Sequence, residues 1–189
     1  MTIRSFIALV PDENSRAKLA KLSRGIKALH GFDGLRFVDS FNFHLTLAFL
    51  DQQKGDALKD IADAIDENLH AIPAVSQITL SRVEFFPLGK QPKVLAALVE
   101  AQESLSLLHQ HLLSAIPHSI AHYSKIRQQA KSFTPHISLA RLHHRAIIKN
   151  AIHVENEEII KLSELAIFES VLHADGPVYK PLYQWQVGK

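Results

Sequence analysis

Apolar and polar positions along the chain fall into an alternation of strand-like and helix-like segments. Residues 3–10 form a compact apolar run ended by Pro11-Asp12, which predicts a buried strand. Over 13–30 the period changes to that of a helix, through Leu19, Leu22, Ile26 and Leu29. A strand is predicted over 41–50, and a second amphipathic helix over 55–70 carries Leu58, Ile61, Ile65 and Leu69 on one face. Residues 78–87 and 93–100 read as a strand pair, 104–116 as a third helix, and 118–132 as a polar connection. A strand over 133–142, a helix-compatible stretch over 144–152 and a closing hairpin of 162–170 with 178–187 complete the pattern. Some neighbouring strands are joined by connections too short for parallel crossovers, so the pattern predicts an α+β fold of antiparallel or mixed sheets.

Two of the strands share a polar interruption. Residues 43–50 read FHLTLAFL and residues 135–142 read PHISLARL, so His-x-Thr/Ser-Leu-Ala occurs twice, about half the chain apart. Side chains on a strand alternate faces. Strict alternation puts His44, Thr46 and Ala48 on one face and Phe43, Leu45 and Leu47 on the other. It likewise sets His136, Ser138 and Ala140 against Ile137 and Leu139. A single half-buried His with a hydroxyl neighbour is usually structural. A matched pair of them is different, because burying polar groups twice costs stability unless both are used.

Composition narrows the chemistry. The chain has 189 residues, 47% hydrophobic and 21% charged, which fits one domain over 1–189, or two small lobes sharing a core. It contains no cysteine, which excludes disulfides, thiolate nucleophiles and Cys-based zinc sites. No apolar run approaches the ~18 residues of a membrane helix. The opening MTIRSFIALVPDEN has too short an apolar core for a secretory leader, so a cytoplasmic protein without membrane partners is expected. Net charge is only +2, yet no acidic residue occurs between Glu103 and Glu155. That interval holds Lys125, Arg127, Lys131, Arg141, Arg145 and Lys149 together with the second motif. It is either a solvated basic surface or a region that attracts phosphate.

Two histidines facing one another suit in-line displacement at phosphorus. A neutral imidazole accepts a proton from water while a protonated one donates to the leaving oxygen, and an ordinary value near ~6.5 makes both forms available. Hydroxyls at positions 46 and 138 can hold phosphate oxygens, and Arg141 can add a charge-assisted contact. A metal site ranks lower, because two histidines without a nearby carboxylate make an incomplete ligand set. His118 and His122 have the spacing of a helical metal pair but follow a proline in a polar segment. His109 and His111 diverge on a helix, and His143-His144 reads as surface. LGKQPK has neither the glycines nor the order of a phosphate-binding loop.

The paired motifs, with IRSFIALVPDE, LRFVDSFNFHLTLAFL, VEFFPLGKQPKVLAALVE and LAIFESVLHADGPVY around them, resemble the two-histidine phosphoesterase superfamily. Within it the chain is similar to the RNA 2′,3′-cyclic phosphodiesterases, also called the 2′-5′ RNA ligase family. The resemblance implies a bilobal α+β fold: two pseudo-symmetric lobes of mainly antiparallel sheet, with outer helices, around a central cleft. It implies a monomer without cofactor or metal that hydrolyses RNA or nucleoside 2′,3′-cyclic phosphates to 2′-phosphomonoesters. His44 is then the acid at O3′, His136 the base for water, and Thr46 and Ser138 the phosphate holders. Phe49 and Arg141 then border the nucleobase. Serine at 138 replaces the commoner threonine, and Ala48 stands where a basic residue is frequent. Strict alternation sends Phe49 and Arg141 to the face opposite their histidines, and a bulge or strand end is needed to bring them back. Two other functions stay open: 2′-5′ ligation of RNA halves by the same residues, and a non-catalytic RNA-binding module built on the basic interval.

Overall fold

The structure is a computed structural model that describes residues 1–30, 34–68, 70, 73–87, 91–131, 133–142, 153–155, 157–173 and 176–187. Strand β1 (Thr2–Pro11) leads into helix α1 (Glu13–His30). The helix starts where the Asp12 side chain accepts a hydrogen bond from Ser15 N at 2.7 Å, the arrangement expected of an N-cap. β2 (Leu35–Phe37) is short. Next comes a 3-10 turn over Ser40–Asn42, in which the Asp39 carboxylate accepts from Phe41 N. The strand predicted over 41–50 is thereby displaced: β3 runs Leu45–Lys54, because the capped turn takes its first residues. Helix α2 (Gly55–Asn68) follows, then β4 (Gln77–Phe86), β5 (Val94–Val99), α3 (Glu103–Ala115) and α4 (Tyr123–Gln128). The chain closes with β6 (His136–Leu142), β7 (His153–Glu155), β8 (Ile159–His173) and β9 (Gly176–Gln186).

Two further expectations change. The polar connection over 118–132 contains α4, whose one buried residue, Ile126, is what its short helix packs inward. The closing hairpin is longer than its apolar run, since β8 and β9 continue as a paired ribbon past the core. The helix-compatible stretch over 144–152 and the pair His143-His144 lie outside the described residues.

All strand pairings among the described residues are antiparallel. The strand order β7-β4-β5-β6-β3-β1-β8-β9 divides at its centre into two halves of four, which realises the expected two-lobed α+β plan. The halves meet where Leu45 of β3 pairs with Ile137 of β6. A second join is made by Gln77–Thr79 of β4 against Ile159–Lys161 of β8. Beyond Ile137, the β3-facing edge of β6 is taken by β2.

One continuous apolar cluster runs beneath both halves. It includes Leu19 and Ile26 of α1, Leu58, Ile61 and Ile65 of α2, and Leu105, Leu108 and Leu112 of α3, against Leu45, Leu47, Ile137 and Leu139. No described helix is long and apolar enough to cross a membrane. Leu45 is fully buried at the join. Leu45→Ala is expected to lower stability by about 2–5 kcal/mol, read from urea denaturation; a loss below about 1 kcal/mol would show that the join does not depend on this side chain.

Candidate active site

The Leu45–Ile137 pairing fixes how the motifs face each other. In that antiparallel register His44 lies alongside Ser138, and Thr46 alongside His136. His44, Thr46, His136 and Ser138 are all half-buried, whereas Leu45, Leu47, Ile137 and Leu139 are buried on the opposite face. The two polar stripes therefore form one surface.

The histidines are held alike. His44 Nδ1 lies 2.7 Å from the carbonyl oxygen of Asn42, and His136 Nδ1 lies 2.9 Å from that of Thr134. In both cases the partner is the residue two positions earlier. A carbonyl only accepts, so each Nδ1 carries the proton and donates it. In the neutral ring Nε2 is then the basic nitrogen. An aromatic ring flanks each imidazole at the same tilt: Phe6 beside His44 at 4.9 Å and 36°, and Phe86 beside His136 at 4.4 Å and 36°.

Burial dominates the electrostatics. It pushes His44 down from its ordinary value to about 4, against the opposing pull of the Asn42 carbonyl. Repulsion from Arg141, and from His136 when that ring is protonated, lowers it further. His136 is also lowered, again mainly by burial, with the Thr134 carbonyl opposing. Both shifts favour the neutral ring over the imidazolium.

Phe49 and Arg141 reach the histidine face through a pair of β-bulges. Along β3, Thr46 pairs with Ala8 and Ala48 with Ile7, so Leu47 is the extra residue. Along β6, Ser138 pairs with Ala96 and Ala140 with Leu95, so Leu139 is extra. The bulge falls at the same leucine in each motif. It turns Leu47 with Ala48, and Leu139 with Ala140, into the core, and restores Phe49 and Arg141 to the exposed side. The alternation expected for Ala48 and Ala140 is corrected accordingly: both are wholly buried and do not extend the polar stripe.

Several residues here had no signal in the sequence. The Tyr179 ring of β9 stands perpendicular to His44 at 5.0 Å and 83°, and its hydroxyl accepts from Arg141 Nη2 at 2.9 Å. Gln129 grips the backbone of Phe49 through two hydrogen bonds, accepting from Phe49 N at 2.9 Å and donating to Phe49 O at 2.8 Å. Its amide stands in for a neighbouring strand, and the Phe49 ring is left 59% exposed. Asn42 also donates from Nδ2 to Pro177 O at 3.2 Å, tying the turn before His44 to the closing hairpin. The carbonyls of Asn42 and Thr134 had no signal either, because a backbone carbonyl leaves no mark in side-chain identity.

Among the described residues, the other histidines singled out by their spacing lie elsewhere. His122 caps α4 in a left-handed conformation, and His118 sits in the turn before it against Tyr123, so the pair does not share a helix face. The described residues contain no group of three His, Cys, Asp or Glu able to hold a metal. His109 is buried on α3, stacked on Phe133 at 3.8 Å and 11°, and burial lowers it to about 4.

The chain matches the family model of the 2′-5′ RNA ligase superfamily over residues 42–160, a span that takes in both motifs. It belongs to that superfamily. An RNA 2′,3′-cyclic phosphodiesterase of Thermotoga maritima is 25% identical over 97% of this chain and 95% of its own. A protein of the same name from Aeropyrum pernix is 27% identical over 88% of this chain and 93% of its own. Among solved structures, TT0787 of Thermus thermophilus superposes with a TM-score of 0.79 at 26% identity, covering 98% of both chains. E. coli LigT complexed with 3′-AMP gives 0.74 at 21% identity over the whole of both chains, a likeness of fold. This member of the superfamily thus shares the LigT-type α+β architecture.

The lowered histidines carry a sign for stability. Their unfolded value is ~6.5, and His44 and His109 lie at about 4 in the fold. Between these limits the unfolded chain binds more protons, so stability is complete above pH ~6.5 and is lost as pH falls toward 4. The urea midpoint is expected to drop across that window, and the His44 ring signal in NMR to titrate near pH 4. A His44 midpoint at pH 6 or above would contradict the burial argument.

Proposed function

We propose that the chain hydrolyses 2′,3′-cyclic phosphates at RNA or nucleotide ends to 2′-phosphomonoesters, without a metal, using His44 and His136 as the proton-transfer pair. The observation that carries this reading is the identical anchoring of the two rings. Each Nδ1 is committed to a carbonyl two residues back, which leaves each Nε2 to serve a substrate between the motifs. The names of the relatives from T. maritima and A. pernix support the substrate class. LigT, of the same fold, binds 3′-AMP.

In the proposed step, His136 takes a proton from water as its oxygen bonds to phosphorus. The P–O3′ bond breaks, and His44 delivers a proton to O3′. Thr46 and Ser138 hydrogen-bond the non-bridging oxygens, and Arg141 adds a charge-assisted contact. Phe49 and Arg141 border the base. The acid needs a proton that burial disfavours. An anionic phosphate set against the rings reverses that preference, because an opposite charge favours the imidazolium. A 5′-hydroxyl in place of water turns the same geometry to 2′-5′ ligation, the reaction for which the superfamily is named.

Purified protein in EDTA is expected to convert a nucleoside 2′,3′-cyclic phosphate to the 2′-phosphate, identified chromatographically against the 3′ isomer. His44→Ala and His136→Ala should each lower kcat by about 10²–10⁴-fold; undiminished turnover in either variant would sink the mechanism.

The pH profile follows from the two depressed values. kcat/KM reports the free enzyme, so its bell should lie on the acid side of pH ~6.5. kcat reports the complex, in which the substrate charge raises both rings, and its bell should lie to the alkaline side of the first. Coincident profiles would argue against substrate-assisted protonation.

A further inference from the structure

Phe49 is held by its backbone while its side chain is left free. The ring is 59% exposed, so most of its apolar surface stays in water. The backbone, in contrast, is gripped at both polar atoms. Gln129 accepts from Phe49 N at 2.9 Å and donates to Phe49 O at 2.8 Å. A side-chain amide offers one carbonyl and one NH2 group, so a single glutamine can span both positions as a neighbouring strand would.

The course of β3 explains why this grip matters. β3 pairs with β6 only at Leu45, and the place beside β6 then passes to β2. The bulge at Leu47 returns Phe49 to the histidine side, on an edge that no strand covers among the described residues. The direction of the Phe49 ring therefore depends on what fixes its backbone there.

The segment that supplies Gln129 is itself tied down farther along β3. Lys125 pairs with Asp51 at 2.7 Å, and Asp51 has φ +63°. Gln53 donates from Nε2 to Ala121 O at 2.8 Å. Positions 49, 51 and 53 of the strand are thus anchored to residues 129, 125 and 121. Asp51 and Gln53 use their side chains in these anchors, whereas Phe49 contributes backbone and keeps its ring for another contact.

We propose that Gln129 is a positioning residue for substrate recognition, holding the Phe49 backbone so that the exposed ring meets the nucleobase. This rests on the function proposed above and adds to it a residue, outside both motifs, that governs how strongly the base contributes.

Two substrates that differ in the base read this role: a nucleoside 2′,3′-cyclic phosphate, and the 2′,3′-cyclic phosphate of a methyl ribofuranoside. The first should have the higher kcat/KM in wild type. Phe49→Ala should cut the ratio of the two by about ten-fold, the scale of one stacked base, and Gln129→Ala by about five-fold. Because Gln129 acts through Phe49, adding Gln129→Ala to Phe49→Ala should change the ratio by less than about two-fold. No base preference in wild type, a ratio unmoved by Gln129→Ala, or additive losses in the double variant would each overturn the proposal. A general loosening of the fold slows both substrates together and leaves the ratio unmoved. Gln129→Asn, too short to span both backbone atoms, gives the same reading if the alanine variant does not fold. Calorimetric affinities for a nucleoside 2′-phosphate and its base-free counterpart carry the same cycle without turnover. Base-dependent binding that follows the cycle, with no hydrolysis, would refute the catalytic reading and keep the role of Gln129. Equal base dependence in wild type and Gln129→Ala would refute that role and leave catalysis standing.

Discussion

Everything at the site depends on Leu45 facing Ile137. These two buried residues form the pairing through which β3 meets β6, and their register decides which polar groups share a surface. A slip of one residue would turn either stripe into the core. The apolar halves of the two motifs therefore hold the polar halves in place: Leu45, Leu47, Ile137 and Leu139 sit in one continuous cluster beneath them. The same leucines form the bulges, at Leu47 and at Leu139, that return Phe49 and Arg141 to the histidine side. Core packing and site geometry are two faces of the same strands.

The neighbourhood of each imidazole repeats across the join. Each has a carbonyl two residues back and an aromatic ring tilted at 36°. Burial then disfavours charge on both. The differences are supplied by later parts of the chain. Tyr179 stands at His44 and also receives Arg141, so the first half-site feels an added cation through a shared neighbour. Where the motif strands part, their facing edges are closed differently as well: β2 lies along β6, whereas the Gln129 amide closes β3 at Phe49. A near-symmetric frame is thus made unequal by the groups set against it.

The sequence carried what periodicity and residue identity can carry. Apolar runs located β1, α2, the β4–β5 pair and the closing hairpin, and the repeated His-x-Thr/Ser marked the two strands that matter. Alternation alone misplaced Ala48, Ala140, Phe49 and Arg141, because a bulge depends on how two strands align and not on either one. The turn at Ser40–Asn42 took residues from a predicted strand, since Asp39 satisfies Phe41 N locally. α4 hid in a polar segment because one buried residue, Ile126, is too little to set a period. Tyr179 and Gln129 join the site by tertiary contact, over separations that no local pattern records.

The position of β1 between β3 and β8 has a consequence for how the protein is made. The ribosome delivers β1 first and β8 with β9 much later, so one side of β1 waits for partners more than 150 positions downstream. Both histidine motifs emerge before that happens. A nascent chain stopped after residue 142 carries the two imidazoles but has neither Tyr179 beside His44 nor Pro177 to receive Asn42. Chain order thus makes completion of the His44 half-site wait on β9, the last strand described.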